Sequence, residues 1–527
     1  MVNTNGTLTN APAGVVNRIV VLGGGSAGFL AAITLKYRLP DVPITLIRSP
    51  DIGIIGVGES TTAAVPVHLH HYLKLDIGEF FRKAEPFWKL GIRFLWGKRP
   101  YFDYAFGNQM DCKFHILKKG TGFYCDEGPF DYVGILSGLM THNSIWLRQP
   151  NGQPLIHGDY AYHIENVHFV AYLEGVAARM GVVVKDDKVV EVLQNDNGVA
   201  GLRLESGPVE TADLYVDCSG FVSLLLGKTL KEPYISFKSS LYNDRAVISW
   251  WNRTDEPMQP YTTAETMNCG WCWRIDHEHQ VARGYVYSSD FISDDEADAE
   301  FRAKNPQVKD TRVVKYRTGR FERAWVKNVV GVGNACGFVE PLESTGLGAI
   351  CAQSQALAET LVDCDRRPRP SSLKQYNKRH AKDWDTIRQF LAMHFKFNER
   401  LDNTYWRACR ADADLASAAE IVEFYKENGP TVVWRIMLID DADPFNMEGY
   451  LSMLVGQQVP YQKTFVPDAQ EWNSWQQIRQ GIYHRASRAF SVKEAFALIR
   501  SPDWVWPSWL FNNSPAVRNW GAALTKT

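Results

Sequence analysis

Several things are scarce in this 527-residue chain, and each scarcity excludes something. There is no charge excess: 57 Lys and Arg face 59 Asp and Glu, for a formal net charge of −2. A polyanion partner is therefore not expected, because nucleic-acid binders carry a clustered basic surplus. The nine cysteines are scattered and odd in number, which suits a reducing cytoplasm and not a disulfide framework. Residues 1–17 are polar and lack the basic start and apolar core of a secretory signal. The one long apolar run, residues 19–35, is broken by four glycines and reads as strand, turn and helix, not as a membrane span. No internal repeat or low-complexity block is visible. What remains is a soluble, cytoplasmic, enzyme-sized chain of two or three lobes, with neither nucleic acid nor membrane as partner.

The first positive signal lies near the start. Residues 18–22 form a short β-branched run suited to a buried parallel strand, and Gly23-x-Gly25-x-x-Gly28 follows at once. The spacing meets the needs of a dinucleotide turn: a tight turn at Gly23, phosphate approach at Gly25 and close helix–strand packing at Gly28. Ser26 and Ala27 complete that loop. A second strand, 44–47, ends on Arg48 where an acid would hold a ribose hydroxyl. Weak cofactor binding is expected from that departure, and a 2′-phosphate has to be entertained. Two further strand ends follow, one closing on Asp217 and Gly220, the other on Gly333 and Asn334. Three strand ends separated by long insertions suit an FAD fold better than a compact NADP domain.

The second signal is residues 338–346, Phe-Val-Glu-Pro-Leu-Glu-Ser-Thr-Gly, between a buried-strand pattern and a long small-residue helix. Such a turn can hold an anion on backbone amides with a carboxylate beside it. A third is residues 87–94, Phe-Trp-Lys-Leu-Gly-Ile-Arg-Phe. Read with period two, Phe87, Lys89, Gly91 and Arg93 share one strand face, and Gly91 leaves room beside Lys89.

These stretches resemble the flavin-dependent tryptophan halogenase family, almost letter for letter at 338–346. The likeness runs from end to end, through 56–61, 284–289 and 398–406. It implies an α/β fold: an FAD-binding, Rossmann-like lobe of the flavin monooxygenase type, an inserted β-sheet and a mostly helical C-terminal region. It implies that Lys89 and Glu343 are catalytic, with Ser344 between them and the flavin, and that the Thr345 and Gly346 amides bind halide. The FAD contacts it implies are Gly23, Gly25, Ser26, Ala27 and Gly28, then Arg48, Val189, Asp217, Gly333, Asn334, Ser344 and Leu347. In the family, reduced FAD, O₂ and chloride or bromide give hypohalous acid, which reaches the lysine before electrophilic transfer to an aromatic carbon. A separate NAD(P)H-dependent reductase would supply the reduced FAD by diffusion. The oligomeric state stays open, with a homodimer as the candidate.

Residues 271–276, Trp-Cys-Trp-Arg-Ile-Asp, resemble the family's W-x-W-x-I-P signature, with Trp271, Trp273 and Ile275 in place and Asp276 where the proline belongs. Two tryptophans alternating on one strand face make a bulky wall. Cys269 and Cys272 formally read as C-x-x-C, but on a strand they lack the helix N-terminus that stabilises a thiolate. His68, His70 and His71 have no ligand partners at metal spacing and read as a solvated or tunnel-side helix face, so no metal is expected.

The FAD lobe is read as discontinuous within 16–366, in segments 16–99, 160–231 and 313–366, with sheet-forming insertions at about 100–159 and 232–312. Residues 371–527 form the helical substrate-side region, opening with a helix whose buried face carries Leu373, Tyr376, His380, Trp384, Ile387 and Leu391. Electrophilic halogenation requires an electron-rich arene. Tyr101, Phe102, Tyr104, Phe106, Tyr450, Trp504, Trp506 and Trp509 are candidate lining residues, most of them equally suited to the core. No counterpart of the family's clamp for free tryptophan is found, which favours an indole-type or other small aromatic substrate. The alternatives are an FAD-dependent aromatic hydroxylase of the same fold, or a non-catalytic flavoprotein.

Overall fold

The fold starts where the glycine motif predicts. Ile19–Leu22 is a fully buried strand, and the helix Ser26–Arg38 begins four residues after it. The computed structural model describes residues 14–53, 58–107, 110, 116–126, 128–432, 437–440, 443–462, 465–507 and 510. Around this first pair a six-stranded sheet is ordered Val183–Asp186, Ile44–Arg48, Ile19–Leu22, Leu214–Asp217, Val329–Gly331, Trp325–Val326. Its first five strands are parallel and the last is antiparallel. Helices Asn166–Arg179 and Gly346–Asp363 pack with Ser26–Arg38 over one face of this sheet, and Val199, Leu202 and Leu204 of strand Gly198–Leu204 pack on the other, which is why the central strands are apolar on both faces. The chain leaves the first strand toward one side and returns on the other. That switch opens a crevice at the carboxyl ends, beside Gly23.

A second, seven-stranded sheet covers the other lobe. Its order is Arg312–Lys315, Arg245–Asn252, Gln280–Tyr287, Gly270–Asp276, Thr262–Met267, Gly91–Leu95, Phe102–Ala105. It is antiparallel except where Thr262–Met267 runs parallel to Gly91–Leu95. Residues 91–95 and 313–315 lie in this sheet, so the boundaries read from sequence at 100 and 312 cut through it. Leu90 alone separates Gly91–Leu95 from Phe87–Lys89, which pairs with Ala161–Ile164 in a different, three-stranded sheet. This corrects the single-strand reading. A Cβ on Gly91 would lie 2.5 Å from the Tyr104 oxygen, so that glycine admits the neighbouring strand and makes no room for Lys89.

The helix Pro370–Lys396 ties the lobes together. Its predicted stripe from Leu373 to Leu391 is buried. Asn377 exchanges two hydrogen bonds with the Trp325 backbone, at 2.8 and 2.9 Å, while Phe390 to Phe395 pack with Phe94 and Trp96 of the second sheet. The region beyond is mostly helical, as expected, and one short strand, Phe490–Ser491, pairs back onto Ser144–Arg148. Among the described residues no helix is long and apolar enough to cross a membrane.

Candidate active site

The dinucleotide crevice is built of backbone. Gly23 holds φ at +129°, and a Cβ there would meet the Cys218 oxygen at 2.3 Å. A Cβ on Gly28 would sit 1.8 Å from the Gly23 oxygen. Gly25 is the opposite case: nothing lies within 4 Å of its Cβ position, which is the open side a phosphate needs. The helix starting at Ser26 has no side-chain cap and no acid in its first turn, so its amides are left for an anion. The start of Gly346–Asp363 converges here, because Gly333, at φ +63°, is wedged between Ala27 and Ile350. Asn334 is exposed beside it, Leu347 is buried, and Val189 packs near Leu22 and Ile47 at the strand ends. These residues fit a pyrophosphate-bearing flavin nucleotide.

Two sequence-predicted contacts are engaged elsewhere. Arg48 donates to both Glu174 oxygens at 2.7 and 2.8 Å and to Asp186 at 2.5 Å, its stem lying against Gly24. A guanidinium neutralised by two carboxylates is not set to receive a 2′-phosphate. Asp217 accepts from the Ser219 amide and hydroxyl and from the amides of Leu225 and Leu226, so it caps the turn after its own strand. Its full burial pushes the carboxyl pKa up.

Lys89 is fully buried. Its Nζ donates to the Thr61 carbonyl at 2.8 Å and to Ser344 Oγ at 3.1 Å, and lies 5.3 Å from the Phe106 ring centre. Desolvation brings its pKa down from 10.5 to about 7, with the nearby Glu343 charge opposing. His163, buried on the same side, is held neutral by desolvation first and by Lys89 second. Ser344 sits at φ 60°, ψ 29°, a left-handed conformation that costs a non-glycine residue ~1 kcal/mol or more. Next to it, the helix Gly346–Asp363 begins with Thr345 offering no side-chain cap. Nothing lies within 4 Å of the Cβ position of exposed Gly346. Free amides at an open helix start suit a halide.

Glu343 brings in a residue that sequence reasoning missed. Its Oε1 lies 2.7 Å from His394 Nε2, and both side chains are buried. The other ring nitrogen, Nδ1, faces the Phe390 carbonyl at 2.9 Å. Both nitrogens thus meet oxygens, and since the carbonyl only accepts, Nδ1 carries a proton and Nε2 shares one with Glu343. The signal was present: the buried stripe 373, 376, 380, 384, 387, 391 continues at 394.

Around this pair stand Phe94, 5.3 Å from the His394 ring, and Phe390, at 5.0 Å. Phe102, Tyr104 and Phe106 share a strand face; Phe102 stacks on Phe94, and Tyr104 senses the Glu343 charge. Tyr104 and Phe106 are half-buried, which leaves them available to a flat ligand. Of the other lining candidates, buried Tyr450 backs the site, its ring edge-on to Phe390 at 5.0 Å and its hydroxyl bonded to Gln389 and Asp443, and Tyr101 faces away, toward Asp131 and Arg93. Trp504 and Trp506 stack on Trp146 and Trp88, behind the lysine strand. Trp509 is outside the described residues, as are Gly56 and Val57.

Trp271, Trp273 and Ile275 are buried in one core, the two rings 6.0 Å apart, while Cys272 points to another. Asp276, in the proline's place, accepts from Arg274 at 2.9 Å and from the Gln259 amide at 2.7 Å, so it pins the segment before Thr262. His68 and His70 are not solvated: they bond to Thr34 and to Tyr162, and burial brings both to about 4. Among the described residues no group of His, Cys, Asp or Glu could hold a metal ion.

A family model for tryptophan halogenases matches residues 18–470. The chain belongs to the tryptophan halogenase family. It is 32% identical to tryptophan 7-halogenase RebH of Lentzea aerocolonigenes over 445 residues, 79% of this chain and 82% of that protein. Among solved structures it resembles MibH, a lathipeptide tryptophan 5-halogenase, at 36% identity and a TM-score of 0.83, covering 93% of this chain and 94% of that one. Tar14, a tryptophan C-6 flavin-dependent halogenase from taromycin biosynthesis, matches at 29% identity and a TM-score of 0.81, covering 92% and 100%. This halogenase is thus a flavin-dependent halogenating enzyme of mixed α/β fold, with FAD as cofactor and halide as co-substrate.

Proposed function

We propose that this halogenase transfers halogen from Lys89 to an electron-rich arene, an indole-type compound in particular. FAD, when bound and reduced, supplies with O₂ the oxidising power that turns chloride or bromide into hypohalous acid. The observation that carries the reading is the buried Lys89 amine, held between Thr61 and Ser344 and brought to about 7 by desolvation. The amides of Thr345 and Gly346 hold the halide where the helix begins. With two N–H bonds engaged, a neutral Lys89 keeps its lone pair for the oxidant. Glu343, steadied by His394, stabilises positive charge that develops on the ring only in the transition state, and takes up the ring proton. Tyr104 and Phe106 flank the arene.

RebH is a tryptophan 7-halogenase and MibH a lathipeptide tryptophan 5-halogenase. The missing clamp for free tryptophan favours an indole or another small aromatic here. The likeness to MibH adds a tryptophan-bearing peptide as the second reading. Reduced FAD would come from a separate NAD(P)H-dependent reductase by diffusion, since the chain carries one dinucleotide turn.

Lys89→Ala tests the assignment. It should abolish halogenated product, read by mass spectrometry over a panel of indoles, tryptophan and tryptophan peptides. FAD binding and oxidant release to a trapping reagent should survive. A variant that still halogenates would remove Lys89 from the mechanism. NADH consumption without an added reductase would favour the hydroxylase alternative instead.

A further inference from the structure

The two signature tryptophans are alike in sequence and different in what they touch. Trp271 Nε1 donates to Glu340 Oε2 at 2.6 Å. Trp273 Nε1 has no partner among the described residues, and its ring lies over Gly284. Glu340 is fully buried, three residues before Glu343 in the same turn. Its Oε2 also accepts from Asn243 Nδ2 at 2.8 Å, and Asn243 Oδ1 in turn accepts from the Tyr405 hydroxyl at 2.9 Å. One carboxyl oxygen therefore gathers the strand Gly270–Asp276, the approach to strand Arg245–Asn252 and the helix Thr404–Asp412 onto the base of the reacting turn. Glu340 Oε1 has no partner among the described residues. Burial raises this carboxyl to about 7, which lets Oε1 carry a proton while Oε2 keeps both donors.

The turn needs holding, because Ser344 is in a strained left-handed conformation and still has to meet Lys89. We propose that Trp271 is a positioning residue: its indole N–H, acting through Glu340, fixes the 340–346 turn in the form that presents Ser344 to Lys89 and the Thr345 and Gly346 amides to halide. A wall needs the bulk of both tryptophans equally. A strut needs the N–H of one. The inference rests on the reading of that turn as the halide and transfer site.

The deciding experiment is hydrogen exchange on the FAD-free protein, which reports the turn without any turnover. Trp271→Phe should speed exchange of the Leu342 and Ser344 amides, which donate within the turn at 2.9 and 3.0 Å, about tenfold, the scale of one hydrogen bond to a buried carboxyl. Trp273→Phe should change it by less than about twofold, since no hydrogen bond is lost. Glu340→Gln should keep slow exchange, its amide oxygen replacing Oε2 and its NH₂ taking the place of Oε1. Glu340→Ala should lose protection, and adding Trp271→Phe to it should do little more. In turnover, Trp271→Phe should raise the halide KM about tenfold while oxidant formation at saturating halide stays within about twofold. Equal exchange in the two Trp→Phe variants, or full additivity in the double variant, would overturn the proposal. If the unaltered protein made no oxidant from reduced FAD, O₂ and halide, the functional reading would fall, and the exchange data would still decide the strut.

Discussion

The flavin crevice and the transfer site lie on either side of one turn and are made of different material. The crevice is backbone: glycines at 23, 25 and 28, and the open starts of two helices. The proposed transfer site is mainly side chain, drawn from Lys89, the Glu343–Ser344 turn and His394, with the Thr61 carbonyl as its backbone contact. The first is built from what the fold requires anyway. The second carries a buried amine, a strained serine and a buried carboxyl–imidazole pair, each unfavourable for stability. Substitutions that remove the buried amine or the strained serine should therefore cost rate and leave stability equal or better, whereas side chains added at Gly23 or Gly28 should cost stability.

The largest effect that tests this division is Glu343→Gln. The change removes charge and nearly preserves shape, so oxidant should form as before. Transfer to the arene should fall hundreds-fold or more, for an electrostatic term of ~3–4 kcal/mol. Single-turnover halogenation, run beside an oxidant trap, separates the two steps. Near-full activity would place the stabilising charge somewhere else.

Lys89→Met sharpens the stability half. Methionine fills the site without a charge, so the variant should be inactive yet unfold at higher urea than the parent at neutral pH. The pH dependence has a definite sign. The lysine titrates near 10.5 when unfolded and near 7 when folded, so between those values the unfolded chain holds more protons. Stability of the parent relative to Lys89→Met should rise with pH from about 7 to about 10, by several kcal/mol, and be flat below 7, where the burial penalty is complete. A flat difference across that range would mean that the amine stays protonated in the fold.

His394→Phe comes next. Phenylalanine keeps the ring packing against Phe94 and Phe390 but leaves Glu343 Oε1 buried without its partner. A loss of ~2 kcal/mol in transfer, about thirtyfold, is expected, with oxidant formation again unchanged. His394→Gln, which can still donate, should recover part of it. A loss shared equally by oxidant formation would assign His394 to the halide side of the turn.

The contrast also explains what could be read in the sequence. Crevice residues are neighbours in the chain, and their roles follow from backbone geometry, so Gly23, Gly25 and Gly28 were legible with no relative in view. Lys89 and Glu343 were legible only through family resemblance, because no spacing rule joins residues 254 apart. His394 was missed because a histidine ending an apolar stripe looks like core. Gly91 was misread because period two was carried across Leu90, where the chain changes sheets. Arg48 and Asp217 were placed by position in a motif, while their side chains follow charge and hydrogen-bond demand from Glu174, Asp186 and the turn at 224–226.

Arg48 supplies the smallest prediction, and it reverses the expectation from sequence. If Arg48 merely stood in for a ribose-binding acid, Arg48→Glu would tighten FAD. In the structure the guanidinium lies between Glu174 and Asp186, joining strand Ile44–Arg48 to helix Asn166–Arg179 and strand Val183–Asp186. Those two hydrogen-bonded carboxylates are also what raise its pKa. Glutamate there would set three carboxylates together at the edge of the crevice. Solvent reaches this site, with side-chain exposures of 26% for Arg48, 38% for Glu174 and 61% for Asp186, so the loss should be limited to ~1–2 kcal/mol, and salt should shrink it. Urea unfolding at low and high ionic strength measures that loss, and FAD titration of the same variant should show no gain in affinity. Tighter FAD binding at undiminished stability would mean that position 48 faces the cofactor after all, and that the crevice depends on its side chains as the transfer site does.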